Sequence, residues 1–287
     1  MNGQPPPAIR AQGLFFKIEA ETLLDSVNLR ADRGQLVGII GPNGAGKSTF
    51  LRAISGILRY QAGAVYVEGR ELNSISTKDI AAGLAIVPQI APYTQGFTSL
   101  ELVLMGRYPH LGRFQVEGKA DDRIAKDAMR LTETEQFADR TLDTLSGGER
   151  QRVFVSRALA QQPRILLLDE PISNLDVLHQ LKVLDVVRGL VDDGLTAIAA
   201  IHDLQMAARY CDRLVLLQNG RVLAEGSPET VLSPEMIESA FGVKSAVYRD
   251  PVTGSLAISL IGPADATSNG RTGSNGSVAT HRPERDT

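Results

Sequence analysis

The octapeptide Gly-Pro-Asn-Gly-Ala-Gly-Lys-Ser at residues 41–48 constrains the fold more than any other part of the chain. It fits the pattern G-x-x-x-x-G-K-[ST], follows an apolar run at residues 36–40 and precedes apolar residues at helical spacing. Glycines in such a turn let backbone N–H groups approach phosphate oxygens, and the N-terminus of the next helix adds free donors. The octapeptide therefore predicts a P-loop that binds phosphate between a strand and a helix.

Two side chains of the octapeptide have predicted roles of their own. Lys47 supplies a positive charge to the β and γ phosphates of a nucleotide, and the Ser48 hydroxyl is placed for Mg²⁺. The alternative is a glycine-rich turn that only joins a strand to a helix. On the first interpretation, the cofactor-binding residues are Gly41, Pro42, Asn43, Gly44, Ala45, Gly46, Lys47, Ser48 and Thr49.

Two carboxylates follow a second apolar run, at residues 165–168. Ligands of open parallel α/β sheets bind beyond the carboxyl ends of the strands, where Asp169 and Glu170 are expected. Asp169 is suited to bind Mg²⁺, and Glu170 is suited to polarise a water molecule for attack on a γ-phosphate. A solvated acidic turn closed by Pro171 is the alternative, and the P-loop in the same chain favours the metal site.

The heptapeptide Leu-Ser-Gly-Gly-Glu-Arg-Gln at residues 145–151 predicts a second helix end that can bind phosphate. Ser146 and Glu149 have the spacing of a capping box, so a helix should begin there. Gly147 and Gly148 leave the backbone N–H groups of that helix end sterically open. We therefore expect all four residues to bind the cofactor, although Ser146 as a simple N-cap is the alternative.

Short apolar runs predict the fold class. They occur at residues 36–40, 84–87, 165–168, 197–201 and 214–217, separated by helical patterns. Continuous runs of this length are typical of parallel strands that are buried on both faces, so we expect an α/β fold.

The chain also divides into a domain with a helical insert and a tail. Between about residues 90 and 160 the strand signals disappear, while 99–107 and 120–131 have apolar residues at intervals of three and four. We therefore predict a helical insert there. Residues 263–287 have few large apolar side chains and cannot offset the entropy of ordering, so we expect a domain at residues 1–262 and a disordered tail.

Composition excludes several classes of protein. The 30 Lys plus Arg and 33 Asp plus Glu give a net charge of −3, which is too balanced for nonspecific attraction to nucleic acid. We therefore expect no nucleic-acid partner. The single cysteine, Cys211, excludes internal disulfides and favours a reducing compartment. The longest apolar stretches fall short of the roughly 20 residues that span a membrane, so any crossing belongs to another polypeptide.

The heptapeptide at residues 145–151 resembles the LSGGQ signature of the nucleotide-binding subunits of ABC transporters, with Glu149 in place of the final glutamine. The resemblance extends over about residues 9–260, and the motifs occur in the family's order. It implies a P-loop NTPase core of the RecA-like type, with a mostly parallel sheet, an antiparallel β edge and an inserted α-helical subdomain. It also implies an ATPase that uses Mg²⁺.

The same resemblance assigns further roles. Gln89 is similar to the Q-loop glutamine, which senses Mg²⁺ and the attacking water. His202 is similar to the switch histidine that contacts the γ-phosphate, and residues 173–176 resemble the D-loop, with Asn174 where alanine is usual. The implied catalytic residues are Lys47, Gln89, Glu170 and His202, and the implied metal ligands are Ser48, Gln89 and Asp169.

Two candidates remain for the residue that stacks on adenine. The family usually places an aromatic residue before the first strands, and residues 14–18 offer candidates. Counting back from Leu24 favours Ile18, whereas the chemistry of ring stacking favours Phe16.

The resemblance further implies an assembly. Two subunits associate head to tail, as a homodimer or as a pair of ATPase subunits, so that ATP on one P-loop is completed by the signature helix of the other. The pair works at the cytoplasmic face of the membrane with transmembrane permease subunits. An extracytoplasmic substrate-binding protein takes part indirectly.

Residues 105–114 resemble the corresponding segment of importer ATPases for ferric siderophores, haem and cobalamin. Their apolar and aromatic content suits docking of a helix from a membrane subunit, and a plain surface loop is the alternative. We rank an iron complex such as a ferric siderophore first as cargo, cobalamin second and haem third. A non-transport ABC ATPase is disfavoured, because the chain has one P-loop and no sustained heptad pattern between Lys47 and Ser146.

Overall fold

Twelve strands and nine α-helices form the part of the chain that the computed structural model describes, residues 5–89, 96–173 and 175–264. The strands are β1 (Ile9–Ile18), β2 (Glu21–Ala31), β3 (Leu36–Ile40), β4 (Ala62–Val67), β5 (Arg70–Glu71), β6 (Leu84–Val87), β7 (Ile165–Asp169), β8 (Thr196–Ala200), β9 (Arg213–Gln218), β10 (Arg221–Gly226), β11 (Val243–Arg249) and β12 (Leu256–Pro263). The α-helices are α1 (Lys47–Ile54), α2 (Thr77–Gly83), α3 (Ser99–Leu104), α4 (Lys119–Leu131), α5 (Gly147–Ala160), α6 (Val177–Asp192), α7 (Leu204–Tyr210), α8 (Pro228–Val231) and α9 (Pro234–Phe241).

The central sheet has the strand order β10-β9-β3-β8-β7-β6. Its pairs are parallel from β9 to β6, whereas β10 runs antiparallel to β9. Every residue of β3, β7 and β8 is buried, as expected of strands covered on both faces. The predicted α/β class is confirmed, and the strand expected at residues 197–201 lies one residue earlier.

A second, antiparallel sheet with the order β2-β1-β4-β5 packs against the P-loop helix α1. In β2, the buried residues Val27, Leu29 and Ala31 alternate with exposed ones, so one face of the strand is apolar. These side chains share a hydrophobic cluster with Phe50 and Ile54 of α1. This contact fixes the position of the helix that begins at the P-loop.

The insert is helical, with α3 and α4 packed against α5. The predicted helix at residues 120–131 is observed as α4, whereas the one predicted at 99–107 ends at Leu104. From there the chain continues as a 3₁₀ helix, Met105–His110, in which Pro109 lacks a backbone donor. The insert therefore bends away from α-helical geometry in the segment that resembles importer ATPases.

The described residues extend slightly past the predicted domain boundary at residue 262. Strand β12 reaches Pro263, and the backbone N–H of Ala264 donates to the Gly242 carbonyl at 2.8 Å. The remainder of the predicted tail, residues 265–287, lies outside the described residues. Over residues 5–89, 96–173 and 175–264, no helix is both long enough and apolar enough to cross a membrane.

Candidate nucleotide-binding site

The P-loop is held by close backbone approaches that only glycine permits. Gly41 has φ 148°, and a Cβ atom there would overlap the Leu217 carbonyl oxygen of β9. Gly46 has φ 100°, and a Cβ atom would lie 2.6 Å from the Leu23 carbonyl oxygen. Both positions lie in the left-handed region, which side chains avoid. The motif glycines are therefore required by the fold of the loop as well as by any ligand.

Lys47 is buried inside this loop. Its side chain is 5% exposed, and its Nζ donates to the carbonyl oxygens of Gly41 at 2.8 Å and Pro42 at 3.1 Å. Burial lowers the pKa of the Lys47 ammonium group, and the charges of Glu170 and Asp169 oppose that shift. The lysine is thus held within the P-loop near two carboxylates, and its contact with phosphate stays a prediction.

Ser48 and Asp169 meet where a Mg²⁺ ligand pair was expected. The Ser48 Oγ donates to the Asp169 Oδ1 at 2.7 Å, and Asp169 is 2% exposed at the carboxyl end of β7. Burial raises the pKa of Asp169, while the Ser48 hydrogen bond acts in the opposite direction. A hydroxyl and a carboxylate oxygen are ligands suited to Mg²⁺, so these two residues could hold the ion.

The backbone of Glu170 is strained, and a hydrogen bond from Gln89 holds its side chain. Its φ is 48°, a conformation that non-glycine residues rarely adopt. Its carboxylate accepts a hydrogen bond from the Gln89 Nε2 at 2.7 Å, and its carbonyl accepts one from the Ser173 Oγ at 3.1 Å. Ser173 lies in the segment that resembles the D-loop, and its contact with Glu170 is not predictable from the sequence, because a left-handed backbone leaves no sequence signal.

A cavity of about 330 Å³ joins the P-loop to this pair of side chains. Gln89 and Glu170 line it together with residues 43–49. Glu21 and Leu23 of the β1–β2 hairpin also line the cavity, and sequence reasoning did not identify them. Most of the predicted P-loop and hydrolysis residues therefore face one space.

The adenine-stacking candidates differ in exposure. Phe16 is partly buried and packs against the hydrophobic cluster of the antiparallel sheet, whereas Ile18 is 53% exposed at the end of β1. Neither residue lines the P-loop cavity. Both remain predictions for contact with a base.

The predicted signature helix begins as expected. The Ser146 Oγ accepts from the Glu149 N–H at 3.2 Å, and the Ser146 N–H donates to the Glu149 carboxylate at 2.8 Å, which forms a capping box. These bonds from the Ser146 backbone and hydroxyl lower the pKa of Glu149. Ser146 and Gly147 are exposed, and a Cβ atom at Gly147 would meet nothing within 4 Å. This helix end is open at the surface and does not line the P-loop cavity.

The other residues predicted for the site either lie near the same edge of the central sheet or fall outside the described residues. His202 is exposed just after β8, the strand next to β7. Asp203 caps α7 by accepting from the N–H groups of Gln205 and Met206. Asn174 lies outside the described residues.

Comparison with known proteins identifies a family and several importer subunits. The sequence model of the ABC transporter family matches residues 24–173. A cobalamin import ATP-binding protein of Halobacterium salinarum is 46% identical over 86% of this chain. This chain spans 62% of the length of that relative. A hemin import ATP-binding protein of Gloeobacter violaceus is 39% identical, with 91% of this chain and 97% of the relative covered.

An iron(3+)-hydroxamate import ATP-binding protein of Bacillus subtilis is also similar. It is 40% identical, with 80% of this chain and 86% of the relative covered. These relatives are ATP-binding subunits by name, and they differ in the cargo that their names state.

Solved structures show the same fold. A metal-chelate type ABC transporter in an inward-facing conformation has a TM-score of 0.76 at 25% identity, with 89% of this chain and 97% of that chain covered. A dimeric ATP-binding cassette bound to ADP and phosphate has a TM-score of 0.70 at 29% identity, with 77% and 98% covered. The family match, the identities and the shared cassette fold place the chain in the ABC transporter family, among its ATP-binding subunits.

Proposed function

We propose that this chain is the ATP-hydrolysing motor subunit of an ABC importer and acts at the cytoplasmic face of the membrane with transmembrane permease subunits. The observation that carries the proposal is the presence of two helix ends suited to phosphate, the start of α1 and the start of α5. The second end, at Ser146, is exposed and lies outside the P-loop cavity. ATP bound at the first end is therefore completed by the second end of another copy.

Two copies associate head to tail, as a homodimer or with a related ATPase subunit. Ser146, Gly147, Gly148 and Glu149 of one copy face the nucleotide on the P-loop of its mate. Their open backbone N–H groups and the positive end of the helix dipole favour the γ-phosphate charge. His202 adds a contact to the same phosphate. ATP binding brings the copies together, and hydrolysis separates them.

The residues of the P-loop cavity divide the chemistry of hydrolysis. Lys47 balances charge on the β and γ phosphates, and Mg²⁺, held by Ser48, Asp169 and Gln89, supplies further positive charge when bound. Glu170 accepts a proton from the water that attacks the γ-phosphorus. The bond from that phosphorus to the bridging oxygen breaks, the bridging oxygen keeps the electron pair, and ADP and phosphate are released.

An iron complex such as a ferric siderophore is the first candidate for the cargo, followed by cobalamin and then haem. The named cargo of the relatives supports this group of three, because they include an iron(3+)-hydroxamate, a cobalamin and a hemin importer subunit. An extracytoplasmic substrate-binding protein delivers the cargo to the permease and does not contact this chain.

The helical insert carries the contact with the permease. Tyr108 is 54% exposed in the 3₁₀ helix, and Phe114 is 94% exposed in the loop that follows. Exposed aromatic side chains that lie this close together in the sequence favour burial against a partner protein. The segment at residues 105–114 therefore receives a helix of the permease.

A Glu170→Gln variant tests the motor. With Mg²⁺ and saturating ATP, it should elute from a sizing column as a dimer, because nucleotide binds but the water is not deprotonated. Wild-type protein under the same conditions returns to monomer as ATP is consumed. A variant that binds ATP and stays monomeric contradicts the proposal.

Uptake by whole cells tests the cargo. Cells that contain the chain and its permease are compared with cells in which Lys47 is replaced by alanine, with labelled ferric hydroxamate, cobalamin and haemin as probes. We expect ATP-dependent uptake of the ferric complex. Uptake of cobalamin or haemin alone would change the order of the candidates, and uptake of none would reject the importer function.

A further inference from the structure

Arg157 of α5 is a partly buried cation that has no hydrogen bond, ion pair or ring contact within the described part of the chain. Other buried arginines differ from it. Arg107 forms an ion pair with Asp121 at 3.0 Å, and Arg152 donates to the carbonyl oxygens of Thr132 and Glu133. Arg157 therefore carries a desolvated charge that residues 5–89, 96–173 and 175–264 leave uncompensated.

The pKa shifts of Arg157 and Arg188, which are both partly buried, differ in the same way. Burial lowers the pKa of the Arg157 guanidinium, and no carboxylate opposes that shift. Burial acts in the same direction on Arg188, yet the pKa of Arg188 is raised because Asp212 and Asp192 bond to it. A buried charge without a counter-charge costs free energy until a partner supplies one.

Arg157 is next to the segment that the proposed function assigns to the permease. Its carbonyl oxygen lies so close to Gly106 of the 3₁₀ helix that a Cβ atom there would overlap it. One turn later, the Gln161 side chain donates to the Leu84 carbonyl of β6 at 2.7 Å. Residues four apart share a helix face, so Arg157 lies between the 3₁₀ helix and β6.

The segment next to Arg157, residues 105–114, contains no acidic side chain. Its two arginines are Arg107, which is buried and paired with Asp121, and Arg113, which is exposed. A partner that binds this segment therefore meets the positive charge of Arg113 and the exposed ring of Tyr108.

We propose that Arg157 receives a carboxylate of the permease segment that docks on the insert, so that one charged pair forms beside the aromatic contacts. This inference rests on the proposed function, because the permease supplies the carboxylate. Charge complementarity favours an acidic partner, since the described residues leave the Arg157 guanidinium without a counter-charge and the adjacent segment, residues 105–114, contains no Asp or Glu.

The stability of the isolated chain tests the uncompensated charge. An Arg157→Met variant should unfold about 2–4 °C above wild type, because the buried charge is replaced by an apolar side chain of similar length. An Arg107→Met control should unfold below wild type, since it leaves Asp121 buried without its partner. If Arg157→Met unfolds at a lower temperature, as the control does, the arginine has an internal partner and the proposal is overturned.

Wild type and Arg157→Met, both truncated after Ala264, show whether the carboxylate that pairs with Arg157 comes from the permease or from the tail of this chain. The residues after Ala264 include Asp265, Glu284 and Asp286. We expect the difference between Arg157→Met and wild type to be unchanged by the truncation. A difference that appears only in the truncated pair assigns Arg157 to a tail carboxylate and overturns the proposal.

Binding to permease-containing vesicles tests the partner. Vesicles from cells that express the permease are compared with vesicles that lack it, with wild type, Arg157→Met, Arg157→Lys and Arg123→Met, the last an exposed arginine of α4. Arg157→Met should bind about tenfold more weakly or worse, Arg157→Lys should recover part of the loss, and Arg123→Met should match wild type. If wild type binds and Arg157→Met binds equally well, this inference fails; if wild type does not bind, the proposed function fails.

Discussion

The two helix ends that are suited to phosphate differ in how far their own chain completes them. At the start of α1, Lys47 and Asp169 are buried, and the loop is fixed by backbone contacts that exclude a Cβ atom. At the start of α5, Ser146 and Gly147 are exposed, and the local hydrogen bonds stay within one capping box. The first helix end is therefore part of the folded core, whereas the second is exposed at the surface, as the proposed pairing of two copies requires.

The largest expected effect is at the buried helix end. Lys47→Ala should lower Mg²⁺-dependent ATP hydrolysis by a factor on the order of a hundred or more, because a preorganised charge on the phosphates is lost. Phosphate release at saturating ATP measures it. Lys78→Ala, which changes an exposed lysine of α2, serves as the control and should hydrolyse ATP at the wild-type rate. Hydrolysis by Lys47→Ala equal to that control would remove Lys47 from the site.

Alanine substitutions of one glycine at each helix end should have different effects on stability. Gly41→Ala should lower the unfolding temperature by at least about 6 °C, because its Cβ overlaps the Leu217 carbonyl in a left-handed conformation. Gly147→Ala should leave the unfolding temperature within about 2 °C of wild type, because the added methyl group contacts nothing in its own chain. It should nevertheless lower ATP hydrolysis, because that methyl group lies where the nucleotide of a second copy would bind. Equal thermal shifts for the two variants would erase the distinction between the two helix ends.

A smaller effect is expected at Ser173. Its hydroxyl donates to the Glu170 carbonyl and helps to hold the left-handed backbone that directs the carboxylate. Ser173→Ala should lower kcat about three- to tenfold with little change in KM, and Ser173→Thr should recover most of the loss. Steady-state ATPase kinetics measure both constants. A change in KM alone, or no recovery with threonine, argues against this positioning role.

The smallest expected effect is at the cap of α5. Glu149→Ala should cost roughly 1 kcal/mol of unfolding free energy at neutral pH, because one side of the capping box is lost. The pKa of Glu149 is lowered in the fold, so its contribution is present above the ordinary glutamate pKa and is lost as pH falls through the folded value. Thermal unfolding of both proteins from pH 7 downwards should show converging temperatures. A gap that is constant with pH would contradict the charge-based cap.

Much of the fold was predictable because buried parallel strands have continuous apolar runs. The runs at residues 36–40 and 84–87 coincide with β3 and β6. The capping box at Ser146 predicts the N-terminus of α5 at the position where the structure has it. These features are local, so a few consecutive residues are enough to predict each of them. Helix α3 was predicted too long because the switch to a 3₁₀ helix depends on the close approach of Gly106 to α5, which is a tertiary contact.

The site was predictable as a set of motifs but not as a geometry. Lys47, Ser48 and Asp169 followed from motifs with fixed chemistry, and the structure brings them together. The contribution of Glu21 and Leu23 to the cavity depends on how the antiparallel sheet lies over the P-loop, which no short pattern encodes. The left-handed φ of Glu170 and its bond from Ser173 are likewise products of the folded turn.

Mixing two inactive variants tests the shared nucleotide site most directly. Lys47→Ala lacks a working P-loop, and Gly147→Asp places a carboxylate at the helix end that should receive phosphate. In a head-to-tail pair of one of each, one composite site keeps both intact halves. An equimolar mixture should therefore regain ATP hydrolysis, towards about a quarter of the wild-type rate. A mixture no more active than the sum of the two variants alone would contradict the claim that each ATP is bound between two copies.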